Sequence, residues 1–236
     1  MFIRNDIFEI LVESTPDRGK INRASLDWTD PDLLAEMLRR RFIYSLNLEV
    51  ENAPDYLTLW QSFVAPHFPD GTETATYVLA RSLMRPRSLI DFLHHCQSHA
   101  VNLGHTRIEA GDILEGEKTY STELVSGISL EIEDVCPDAK DALFAFIEAE
   151  SLFDGNALQE RLGRIVKAEA AQQKVLELLF WYGFLGFVRS DNSECYIYSV
   201  VYDTKKFKAL LNNVPKAERL YTVNPAFFKG LEIKGP

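Results

Sequence analysis

His94, His95, Cys96 and His99 are the densest group of ligating and proton-transferring side chains in the chain. His95 and His99 stand one helical turn apart, a spacing at which two imidazoles can face one ion. No Asp, Glu or second Cys lies at ligand spacing on the same face, so the cluster reads as a partly buried polar helix edge and no metal site is expected. A second group is Arg85-Pro86-Arg87, two fixed cations around a proline at the mouth of an apolar helix. Positive charge there opposes the helix dipole by about 0.3–1 kcal/mol per residue. The pair therefore asks for an anion, either a phosphate or an acidic partner.

Standard catalytic motifs are missing. The Gly19-Lys20 pair is followed by Ile21 and lacks the upstream glycine of a phosphate loop, and GxSxG, HExxH and GxGxxG do not occur. The acidic run ISLEIEDVCPD reads as a solvated helix face rather than a cation site. Cys96, Cys136 and Cys195 are odd in number and widely spaced, so free thiols are expected. The chain has 236 residues and a net charge of −10, with no apolar run of membrane-spanning length. These features lead us to expect a cytoplasmic protein that does not coat a polyanion over its whole surface.

The elements that must carry these residues are mostly helices. Residues 2–4 read as a strand stub, 5–14 as a short helix and 21–28 as a half-buried strand containing Trp28. Thr29, Asp30 and Pro31 then open a helix whose apolar face includes Leu33, Leu34, Met37, Leu38, Phe42 and Ile43. From Pro54 to about Glu150 the pattern is helical, and Ser88 is a candidate cap for the helix that follows Pro86. Cys136-Pro137-Asp138 looks like a joint. Three helical stretches follow, at 138–150, 156–166 and 170–184, and then two strand-like runs, GFVRS and CYIYSVVYD, around the turn SDNSE. Three helices and a two-stranded ribbon form the pattern of a winged helix. The expected fold class is mainly α with a minor β component: a helical lid-like bundle over 47–136 and a winged-helix-like domain over 137–236, after an N-terminal segment 1–46. The stripe Phe180, Trp181, Tyr182, Phe184 and Phe187 is expected to be core.

Charge is unevenly distributed. Residues 107–160 hold 14 acidic and 3 basic side chains, whereas 204–236 hold 2 acidic and 7 basic ones. Lys205, Lys206, Lys208, Lys216 and Arg219 are therefore the candidate contacts for a polyanion, and a DNA-binding regulator is the alternative function. The helix that would enter a groove, AAQQKVLELLFWYGF, offers only Gln172, Gln173, Lys174 and Glu177 as polar side chains. That is a poor base-reading surface, which favours a protein-partner role.

Several stretches, in order, resemble the C-terminal half of bacterial P-loop ATPases of the STAND and KAP kind, a group with members linked to phage defence. They are FIRNDIFEIL with INRASLDWTDPDLLAEMLRRRF, then RPRSLIDFLHHC, then EGEKTYSTELVSGISLEIEDVCP with LELLFWYGFLGFV, and finally YTVNPAFF. The resemblance implies a late strand ending in a sensor arginine at Arg4, a helical lid and a winged helix. It also implies that Pro86 packs on adenine, with Arg85, Arg87, Asn5 and Asp6 near the nucleotide. The phosphate loop and the magnesium-binding acidic strand of that family are not in this sequence. On this reading ATP and magnesium belong only to a complete ATPase, this chain alone carries no cofactor and no ATPase activity, and its work is regulatory. Its abrupt start suggests a fragment, with a protein partner or self-association completing the site and DNA contacted weakly at most.

Overall fold

Asp30 accepts a hydrogen bond from the amide of Asp32, and Pro31 occupies the first helical position, where a missing N–H costs nothing. They start α1 (Pro31–Ser45), the first helix among residues 27–235, which the computed structural model describes. The elements expected at 2–4, 5–14 and most of 21–28 lie outside the described residues. Leu34, Leu38 and Ile43 are the buried face of α1, while Leu33 and Trp28 are exposed. Three further helices follow: α2 (Tyr56–Phe63), α3 (Thr74–Ala80) and α4 (Pro86–Asn102).

The longest helix, α5 (Ala110–Val135), runs back along α4. The pairs Phe92–Tyr120, Cys96–Gly116 and His99–Asp112 mark the antiparallel register. The rings of Phe92 and Tyr120 stack with centroids 4.8 Å apart. At the crossing point a Cβ on Gly116 would come within 2.6–2.8 Å of the Cys96 backbone and Sγ, so only glycine permits this approach.

The chain is mainly α with a minor β component, as expected, but the second half differs in detail. The helix expected over 138–150 is two 3-10 turns, Pro137–Ala139 and Leu143–Phe146. Its turns bond locally from i to i−3, and its end is tied elsewhere: the Glu148 amide donates to Leu231 O and Ala149 O accepts from the Lys234 amide, both at 2.9 Å. The two-stranded ribbon is a four-stranded antiparallel sheet in the order β1-β4-β2-β3, formed by β1 (Leu152–Asp154), β2 (Leu185–Val188), β3 (Glu194–Cys195) and β4 (Leu220–Val223). β4 lies between β1 and β2, pairing Tyr221 with both Phe153 and Phe187.

Two helices, α6 (Gly155–Ile165) and α7 (Glu169–Trp181), separate β1 from β2. The run CYIYSVVYD leaves the sheet after Cys195 and closes a 3-10 turn at Ile197–Val200, where Ser199 Oγ accepts from the Tyr196 amide. α8 (Thr204–Asn212) and the short α9 (Phe228–Leu231) complete the described chain. Phe184 and Phe187 are fully buried, Phe180 and Tyr182 nearly so, and Trp181 packs half-buried at the edge. α5 ends at Val135, yet one apolar cluster continues across that point from Leu34 to Ile233. Both halves thus share a core.

Candidate functional site

Three groups of polar side chains are candidates, and each is set by how helices meet. The first is the mouth of α4. Arg85, restricted to extended backbone by the following proline, is the N-cap residue; no side chain caps the helix. Ser88 sits buried in the first turn instead of capping it, since the first helical residue is Pro86 and Ser88 falls inside the helix. Arg85 does not point freely at solvent. Its Nε donates to Tyr202 Oη at 3.1 Å, and its guanidinium lies 5.9 Å from the Tyr202 ring centroid. Trp181 packs edge-on against the same ring at 5.5 Å.

The backbone on both sides of this contact is left-handed. Leu83 and Met84 have φ of 53° and 50°, and Val201 and Tyr202 have 57° and 59°. Such angles are costly for non-glycine residues and rare for a branched one such as Val201. Arg85 therefore joins the helical half to the C-terminal half at a strained seam. Arg87 is exposed and shares a groove between α4 and α5 with Asp91, Glu123 and Glu131, so three carboxylates face the cations there. Arg4, Asn5 and Asp6 lie outside the described residues; of that expected set, the structure brings together Arg85, Pro86 and Arg87.

The second group surrounds a cleft of about 660 Å³ between α6 and α7 on one side and α8 on the other. Leu158, Leu162, Leu176 and Phe180 line it with Phe207 and Leu211 opposite. Three of the five expected polyanion contacts stand at its edge: Lys208, Lys216 and Arg219. Lys208 Nζ is 2.7 Å from Glu177 Oε1, and Arg219 donates to Val214 O and Asn212 Oδ1 at 2.9 and 3.1 Å. Lys205 and Lys206 lie exposed on the first turn of α8. Four polar side chains of α7 bond within the fold. Gln172 donates to Val166 O and Lys174 to Val135 O, while Glu177 takes Lys208 and Gln173.

The third group lies along the α4–α5 hairpin and disperses the histidine cluster. His95 Nε2 is 3.0 Å from Glu123 Oε2, His99 Nδ1 is 2.8 Å from Asp112 Oδ1, and Cys96 is buried against Gly116. Burial holds the Cys96 thiol protonated well above its ordinary range. No group of three or more His, Cys, Asp or Glu among the described residues is arranged to hold a metal ion.

The structure instead brings in residues that were not expected in a site. Asp112, 1% exposed, accepts from His99 and His105 and from the Glu109 amide, the last at 2.8 Å. Burial pushes the Asp112 carboxyl up, but the hydrogen bonds from His105, Glu109 and His99 outweigh it and hold the group below the usual range. One turn further on, Glu117 is also 1% exposed and accepts from Tyr77 Oη at 2.6 Å and Arg81 Nε at 2.7 Å. The sequence does carry one signal for Asp112: Glu109-x-x-Asp112 is a reciprocal capping pair at the start of α5. Their partners, the exposed His105 and the partly buried Arg81, have no such local mark.

Residues 32–129, from the first turn of α1 to the last two turns of α5, match a family model described as the FunZ-associated C-terminal helical domain. No curated protein and no solved structure matches the chain. Among the described residues no helix is long and apolar enough to cross a membrane.

Proposed function

We propose that the chain is a non-catalytic accessory module that regulates a STAND-like P-loop ATPase core through protein contact. The match of residues 32–129 to a domain named as associated and C-terminal supports an accessory role; the ATPase itself rests on the resemblance of the sequence motifs. The winged-helix part of this reading is supported by the element order: two helices after β1 and the strand order β1-β4-β2, with β3, a 3-10 turn and α8 lying between β2 and β4.

The observation that carries the reading is the cleft that this insertion creates. α8 faces α7 across it, with Phe180 and Phe207 rings 5.1 Å apart at its base. A cleft with an apolar base and a polar edge, where Lys216 and Arg219 stand beside the Lys208–Glu177 pair, suits a protein segment with apolar and acidic side chains. The same insertion speaks against the DNA-binding alternative. The helix that would read bases offers few polar side chains, and Gln172 and Lys174 among them donate to backbone carbonyls of their own fold.

The test combines this chain with a phosphate-loop core carrying the upstream part of the same family. A stable complex by gel filtration is expected, and Leu176→Glu, a half-buried cleft residue, should abolish it while the variant keeps its helical circular dichroism. The chain alone should bind neither Mg-ATP nor duplex DNA at low salt. Micromolar ATP binding by the isolated chain would refute the non-catalytic reading, and a salt-sensitive shift of duplex DNA would favour the alternative.

A further inference from the structure

A second cavity, of about 350 Å³, lies in the helical half, far in sequence from the cleft above. Its volume falls within the range of small-ligand pockets, about 300–1,000 Å³. The end of α1, the end of α2 and the second half of α4 form three walls; the loop 103–109 forms the fourth. That loop is fixed. The Ala65 amide donates to Ile108 O at 2.8 Å, the Ile108 amide donates to Phe63 O at 2.9 Å, and Asp112 holds His105 through Nδ1 at 2.7 Å.

The floor is apolar, built by Phe42, Phe63, Leu93 and Ile108, with Phe42 stacked on Phe63 at 4.7 Å. Beside the neutral Ser45, Gln97 and Thr106, the fixed charges of the lining are of one sign. Arg41, His94, His105 and Arg107 contribute to it, and no carboxylate does among the described residues lining the cavity, in a chain with 35 acidic and 25 basic side chains. In the run Arg39-Arg40-Arg41, Arg39 bonds Pro54 O and Ala53 O and Arg40 bonds Glu36. Arg41 alone of the three has no partner among the described residues. Arg107 meets Glu109 at 2.9 Å in a pair exposed by 44% on each side, which holds it weakly. The carboxylate behind His105, Asp112, is buried and its oxygens are occupied.

We propose that this cavity binds a small amphiphilic phosphate monoester, with its apolar body on the Phe42–Phe63 floor and its dianionic head between Arg41 and Arg107. Two guanidinium groups with two imidazoles suit a doubly charged head better than a single carboxylate, because each guanidinium can donate two parallel bonds to phosphate oxygens. Nothing in the protein-contact reading requires this site, and either can fail without the other.

Calorimetric titration of the full chain with decyl phosphate tests the proposal. One-to-one binding is expected, weakening with salt. Arg41→Ala with Arg107→Ala should lower the affinity by at least about tenfold, whereas Arg164→Ala, on an exposed pair with Glu160 on α6, should leave it unchanged. A second variant, Leu93→Trp, narrows the apolar floor without removing the cations and should weaken binding. Equal binding of decyltrimethylammonium would overturn the assignment, since the site would then be only greasy. So would decanoate binding as tightly as decyl phosphate, or wild-type affinity in the double arginine variant with its folded circular dichroism intact.

Discussion

Replacing Glu117 by alanine should be the most damaging single polar substitution in the helical half. The carboxylate is 1% exposed, and Arg81, its ion-pair partner, is 17% exposed. Arg81 also lies 3.4 Å over the Tyr77 ring. Tyr77 itself donates to Glu117, and burial followed by that bond holds its hydroxyl protonated well above the usual range. Glu117→Ala would strand a largely buried guanidinium and a phenolic donor together. Breaking a buried pair in this way costs about 3–5 kcal/mol. Because Arg81 keeps some water and donates to Tyr77 O at 3.3 Å, we take the lower end, about 3 kcal/mol, or a fall of roughly 6–12 °C in Tm for a chain of this size. Urea unfolding followed by tryptophan fluorescence reads the loss directly. Glu177→Ala, at an ion pair exposed by 58% and 45%, is the control and should cost at most about 1 kcal/mol. Arg81→Met with Glu117→Leu should recover much of the loss, since no uncompensated charge then remains. A cost for Glu117→Ala no greater than that of Glu177→Ala, or a double replacement costing the sum of the two single ones, would refute a buried, coupled pair.

Other outcomes follow from the same contacts. The carboxyl of Asp112 is held below its ordinary value, so its ionised form stabilises the fold above about pH 4 and that contribution is lost as pH falls through the lower native value; the stability gap to Asp112→Asn should be open at about pH 5 and close towards pH 2 in acid titrations of unfolding. Gly116→Ala should destabilise by about 1–3 kcal/mol through its clash with Cys96, whereas Gly127→Ala, on the same helix with open space around it, should stabilise by roughly 0.5–1 kcal/mol in the same melts. Tyr202→Phe removes the acceptor of Arg85 but keeps the ring, and should lower stability by about 1 kcal/mol. A thiol reagent should label Cys136 quickly and leave the buried Cys96 and Cys195 unreacted until the chain unfolds, counted by absorbance.

Local chemistry made the helical half readable. Asp30 before Pro31, Arg85 before Pro86 and the Glu109–Asp112 pair announce helix starts because capping and proline geometry act within four residues. The aromatic stripe from Phe180 to Phe187 was recognisable as core for the same reason, its apolar density being local. Of the sheet, only the β2–β3 ribbon around its turn was readable in this way. β1 has three residues and β3 two, too short for an alternating pattern, and β1 finds its partner β4 nearly seventy positions away. The apparent helix at 138–150 gave way because its backbone groups found partners near Leu231 and Lys234, which no local pattern reveals.

The same division separates the candidate sites. By itself the sequence determined where the cations and histidines lie along α4, and that no familiar catalytic motif accompanies them. The tertiary structure alone decided what they face. His95 and His99, one turn apart, are claimed by different carboxylates of α5, while Arg85 is held by Tyr202, 117 residues away. It also collected Arg41, His94, His105 and Arg107 around a single cavity. Helix starts depend on bonds within one turn, whereas the company a charged side chain keeps depends on which helices cross, and that is fixed by burial of the whole core.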